Sequence, residues 1–189
     1  MNNLCNNGEI ELDEKDFLDR AEVLCALGQT VSITDCKQYH QLVHYLSDFK
    51  VQTVGMVIGV RILLNLINEK VYHHADGKLL AAFGELFTKH VRMYIYPSMQ
   101  EGSEELMTCQ NIPIPEAIKH LYQHLLVNNR IVDIENYNAD NLHIFSKQVL
   151  AKIKSNDPEW EDSVPTKVAE LIKEKYLYDF PFQTMKFEY

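Results

Sequence analysis

Two pairs of histidines stand four residues apart, His40 with His44 and His120 with His124, and Cys36 lies four residues before the first pair. Residues four apart on a helix share a face, so each pair could grip one metal ion. A helical wheel nevertheless puts both pairs opposite the apolar stripe of their helices, where side chains meet water. The Glu-x-x-His partnering of di-iron bundles is absent. His73 and His74, adjacent before the turn at Asp76-Gly77, do not add a chelating pair. These four helical histidines are the metal candidates, and neither a metal site nor another cofactor is expected. Nucleophiles are fewer. Cys109 lies in an acidic loop, which raises a thiol pKa rather than lowering it, and no Gly-x-Ser-x-Gly elbow occurs. Asp157, Glu159, Glu161 and Asp162 crowd around Trp160, as a solvated turn does. No complete active site emerges, so this chain by itself is not expected to be an enzyme.

The elements that would position a ligand are clearest from Leu142 to Tyr178. Leu142, Phe145, Val149 and Ile153 recur at helical spacing. Asn156-Asp157-Pro158 stops that helix, since proline cannot continue it and biases the preceding residue away from helical geometry. A second helix opens at Ser163-Val164-Pro165, where proline is tolerated in the first turn, and Val168, Leu171, Ile172 and Tyr176 line one side. Trp160 is expected to wedge between the two helices.

This stretch resembles the C-terminal end of nicotinate- and nicotinamide-mononucleotide adenylyltransferases. The resemblance rests on Ile144-Phe145-Ser146-Lys147-Gln148-Val149, then Ile153, Val164-Pro165, Val168, Ile172 and Leu177-Tyr178. In that family the first helix aims its N-terminus and an arginine at the ATP phosphates. A helix N-terminus suits anions, because its free N–H groups and dipole favour negative charge. The resemblance therefore implies phosphate or nucleotide binding near Ser146 and Lys147, with Lys152 the other nearby cation. The family's arginine falls at Leu150 here, and its first serine at Phe145. Its N-terminal Gly-x-Phe/Tyr-x-Pro-x-His-x-Gly-His loop is absent, as is a dinucleotide fingerprint. The expectation is a non-catalytic module with residual phosphate or nucleotide binding. Two other readings stand beside it: a protein-interaction or scaffolding protein, and a metal-binding bundle resting on the histidine pairs.

Composition narrows the partners. The formal charge of −9 argues against nonspecific nucleic-acid binding, which needs a basic face, and against docking on an anionic membrane. A protein partner or a homo-oligomer is expected instead. The four cysteines form no Cys-x-x-Cys pair, and the acidic N-terminus has no apolar signal core. The longest apolar run, Val54 to Ile67, is broken by Arg61 and Asn65 and is too short to span a bilayer. A cytoplasmic location with reduced thiols follows as the expectation.

The periodicity predicts an all-α fold of six or seven helices, with at most a minor strand element near 91–96. Helices are expected over Asp13–Gln29, Asp35–Phe49, Val51–Lys70, Lys78–Lys89 and Pro115–Val127, ahead of the pair just described. The helix at Val51–Lys70 is apolar nearly all round and is placed centrally, which makes Arg61 conspicuous: it must be paired if buried, or reach water with its charged end. Val91–Tyr96 is strand-like and ends at Pro97, and reads equally well as the tail of the helix over Lys78–Lys89. A strand needs a partner, and the two other candidates are Arg130–Ile134 and Gln183–Tyr189. The aromatic tail is expected to pack back on the domain or bind a partner. One helical domain over 1–189 is expected, with a possible seam at 98–113.

Overall fold

The computed structural model describes residues 13–36, 38–68, 78–88, 90–100 and 102–181. The all-α expectation is wrong. Beside seven α-helices the described residues include a three-stranded parallel sheet and a two-stranded antiparallel one, so the fold is mixed α/β. In chain order the elements are α1 (Glu14–Ala26), α2 (Tyr39–Asp48), β1 (Val54–Gly59), α3 (Val60–Leu66), α4 (Lys78–Leu86), β2 (Val91–Tyr96), β3 (Ser98–Met99), β4 (Leu106–Met107), α5 (Lys119–Val127), β5 (Ile131–Asp133), α6 (Ser146–Ser155) and α7 (Thr166–Lys175). His73, His74 and Gln183–Tyr189 lie outside the described residues.

The correction centres on Val51–Lys70. It is not one helix but β1 followed at once by α3. The reason is physical. A strand of a parallel sheet reads as a near-continuous apolar run, and periodicity cannot separate such a run from a buried helix. Pairing decides. The Val54 N–H donates to the His90 carbonyl at 2.8 Å, and β1 runs parallel to β2 in the register Val54↔Val91 to Gly59↔Tyr96. On the other side the Met93 N–H donates to the Arg130 carbonyl, and that of Ile134 to Ile95, both at 2.8 Å. The strand order is therefore β1-β2-β5. Arg61 is exposed near the start of α3, so no buried charge interrupts a central helix.

The chain forms two compact units, one of them Cys36–His143, the other combining the segment up to Asp35 with that from Ile144. In the first, Met56, Ile58, Val91, Met93, Ile95 and Ile131 turn one sheet face inward and pack with Val43, Leu63 and Phe83 from the helices. Residues 98–113 run within this unit. Its opposite sheet face is different: Gly55, Val57 and Arg92 are exposed, and Tyr94, Tyr96 and Val132 half-buried.

In the second unit Trp160, which is 1% exposed, clusters with Ile153 of α6, with Val168, Ala169 and Ile172 of α7 and with Leu177, and Val23 of α1 packs against this cluster. Asn156 ends α6 in the left-handed region at φ 56°. Asp157 then caps the 3-10 segment Pro158–Ser163 by accepting the Glu159 N–H at 3.0 Å. Two boundaries differ from expectation. α6 begins at Ser146, four residues after Leu142, and Leu142 belongs to the first unit. Tyr176 is not on the inner face of α7 but is its left-handed terminal cap.

Candidate functional site

The candidate phosphate site is the first turn of α6. Phe145 takes the N-cap position in extended geometry, and its side chain makes no capping hydrogen bond. The Phe145 carbonyl accepts from the Gln148 and Val149 N–H groups at 2.9 and 3.1 Å, which starts the helix. No acidic residue lies in the first turn. Ser146 and Lys147 are both exposed there. Lys152 does not join them. Six residues on, it sits about 9 Å further along the axis, and its ammonium is 2.7 Å from the Glu159 carboxylate. The expected cation set is thus divided between the two ends of the helix.

The four candidate histidines on α2 and α5 do not converge. His40 is half-buried rather than facing away from the core, with Nε2 3.8 Å from a Glu85 carboxylate oxygen of α4. His44, His120 and His124 are exposed. The Asn128 side-chain amide lies 3.3 Å from Nδ1 of His124 and donates to that residue's carbonyl at 2.8 Å. Among the described residues no cluster of three or more His, Cys, Asp or Glu side chains could hold a metal ion.

A polar group that sequence reasoning missed stands at the carboxyl end of the parallel sheet. Asp133, the last residue of β5, accepts the Cys109 N–H at 2.7 Å, and the Tyr122 hydroxyl donates to the Cys109 carbonyl at 2.8 Å. Both backbone groups of Cys109 are thereby held. The residue is buried, and burial, then the neighbouring Asp133, pushes its thiol up to about 12. A thiol so disposed is not a nucleophile near neutrality, because the thiolate is the reactive form. Burial likewise raises the Tyr122 phenol. An acidic residue at the end of a parallel strand would have been the signal, but it requires β5 to be recognised first.

The acidic turn around Trp160 borders a cleft of about 470 Å³ lined by Asn156, Glu161, Lys173, Tyr176 and Phe180 among others. Lys173 pairs with Glu161, and its ammonium lies 6.0 Å from the Trp160 ring centroid. Phe180 meets the same ring edge-on with centroids 5.9 Å apart. The indole is packed against its own protein, so it is a core side chain and offers no face for stacking a base. No family model, curated protein or solved structure matches this chain. No described helix is long and apolar enough to cross a membrane.

Proposed function

We propose that this chain is a non-catalytic protein that holds a phosphate-bearing ligand, in the first instance a nucleotide, at the N-terminus of α6. The observation carrying this reading is the composition of that turn: no side-chain cap, no carboxylate, and an exposed serine and lysine. Backbone N–H groups at such a terminus favour an anion, and Lys147 adds a full positive charge. α1 offers the contrast. Its first N–H groups are served by Asp13, which accepts from Asp16 at 3.0 Å, and its first turn carries Glu14 and Asp16. The resemblance of residues 142–178 to the mononucleotide adenylyltransferases supports the same end of the same helix.

Catalysis is not part of the proposal. Adenylyl transfer depends on positioning and on stabilising phosphate charge. Leu150 stands where the family has its arginine, and the two-histidine loop is missing from the sequence. Each lost charge-stabilising group typically costs about a hundred- to a thousandfold in rate. The test combines thermal shift with an assay for pyrophosphate release. ATP raises the melting temperature of the wild type, Lys147→Ala cancels the rise, and neither mononucleotide yields pyrophosphate. An ATP shift that survives Lys147→Ala overturns the site, and turnover that disappears in Lys147→Ala overturns the non-catalytic reading. A second reading, association with protein, is favoured by the exposed residues Gly55, Val57 and Arg92 on the outer face of the parallel sheet.

A further inference from the structure

We infer that the outer edge of β1 is an interaction surface for a second copy of this chain, which adds antiparallel across a two-fold axis at Val57. The inference is independent of the α6 site and starts from hydrogen-bond direction. Val54 donates to His90, so Val54, Met56 and Ile58 turn their backbone groups toward β2. The backbone groups of Gly55 and Val57, and the Gly59 N–H, then point outward; the Gly59 carbonyl begins α3. Among the described residues β1 is an edge strand, and nothing pairs with its outer side. Val57 is 67% exposed.

Edges of this kind are normally guarded by charge, proline or a bulge. β1 reads Val-Gly-Met-Val-Ile-Gly and carries neither charge nor proline. The opposite edge, β5, is only three residues long and ends in Asp133. β1 is therefore the unguarded side.

A second copy is the occupant because the strand is self-complementary. Residues Gly55 to Gly59 read the same in kind from either end: glycine, apolar, valine, apolar, glycine. Antiparallel pairing centred on Val57 sets Val57 against itself, Gly55 against Gly59 and Met56 against Ile58, as an isologous interface requires. Val57 exchanges two backbone hydrogen bonds with its copy, since its N–H and carbonyl both face out. The glycine pairs put no side chain in the seam, and the Met56–Ile58 pairs join two apolar core faces.

Charge agrees. A chain of net charge −9 resists self-association, so copies must meet where charge is absent. The row crossing the seam is Val132, Tyr94 and Val57 on each side, all uncharged, and no carboxylate lies on β1 or β2. A single-strand seam buries less than the roughly 800 Å² per partner of a standard stable interface, so the dimer is reversible and concentration-dependent.

Sedimentation velocity from about 1 to 500 µM reads the mass-action equilibrium. The expected mass rises from that of one 22.0 kDa chain toward twice that value. Val57→Lys sets two ammonium groups against each other, and Val57→Pro removes the outward N–H while sparing the bonds to β2. Both are expected to hold the protein monomeric, whereas Val127→Lys, at a 74% exposed position on α5, leaves the equilibrium unchanged. Amide hydrogen exchange of the unaltered chain gives a readout free of any folding defect. The Val57 amide gains protection with concentration, while the Met56 and Ile58 amides are protected throughout. A wild type that stays monomeric over the whole range, a dimer that persists in either Val57 variant, or a Val57 amide indifferent to concentration overturns the inference.

Discussion

The carboxylate of Asp19 accepts a hydrogen bond at 2.6 Å from the backbone N–H of Tyr178, 159 residues further along the chain. Asp19 is 7% exposed, and Tyr178 has a φ of 56°, in the left-handed region that side chains other than glycine rarely adopt. The bond ties α1 to the turn after α7 and helps to hold that backbone in place. Asp19→Ala leaves the part-buried Tyr178 N–H without its acceptor, which costs up to about 1–3 kcal/mol, the range for a fully buried donor. The urea midpoint should fall accordingly, with Asp19→Asn milder because its amide oxygen still accepts. An unchanged midpoint in Asp19→Ala would show the bond to be inessential.

Trp160 is the sole tryptophan and is 1% exposed, so its fluorescence reports on the second unit alone. Emission should be blue-shifted in the native protein and resist acrylamide quenching. Trp160→Ala should cost about 3–5 kcal/mol, the range for deleting a large aromatic side chain from a core. A red-shifted, readily quenched native emission would contradict the packing around this indole.

Thiol chemistry should divide the cysteines. Cys25 is exposed and Cys109 buried. At about pH 8 a thiol reagent should label Cys25 and spare Cys109 until the protein unfolds. Linkage sets a sign as well. Burial raises the folded Cys109 pKa from 9.0 to about 12. Its contribution to stability is full below about 9 and is lost as pH rises toward 12, because the unfolded chain gives up its proton first. Burial also raises the Tyr39 and Tyr122 phenols, and the same sign applies to them. The urea midpoint should therefore decline over this alkaline window, with a shallower onset in Cys109→Ala. A Cys109 that labels fully in the native state would sink both expectations.

Asp179 bridges Lys15 and Lys154, and hydrogen bonds from these two ammonium groups hold its carboxyl below the usual range. The sign is opposite to that of Cys109. The contribution is present above the ordinary carboxylate range and is lost as pH falls through the depressed folded pKa. All three side chains are about half exposed. Solvent screening therefore limits Asp179→Asn to less than about 1 kcal/mol at low salt, and less still at high salt. A larger loss, or one insensitive to salt, would mean that the bridge does more than an exposed ion pair can.

The helices of the second unit were legible because their determinants are local. Asn156-Asp157-Pro158 stops α6 and Val164-Pro165 precedes α7, as their turn chemistry requires, and the Ile153, Val168 and Ile172 spacing marks the buried stripe. The same locality made Trp160 readable as a wedge. The first turn of α6 could be found, but its chemistry could not be completed: Lys152 was near Ser146 in sequence, and tertiary geometry gave it to Glu159.

What the sequence by itself determined is therefore where most helices lie and the net acidity of the chain. What only the tertiary structure decided is that Val54–Gly59 extends rather than coils, that it and Ile131–Asp133 flank β2, and that Asp19 meets Tyr178 and Asp133 meets Cys109. The physical reason is range. Helical hydrogen bonds close within four residues, and their capping signals lie beside them in the chain. The bonds of a parallel strand are made to residues far away, such as His90 for Val54, so an apolar run can serve either structure until its distant partner is in place.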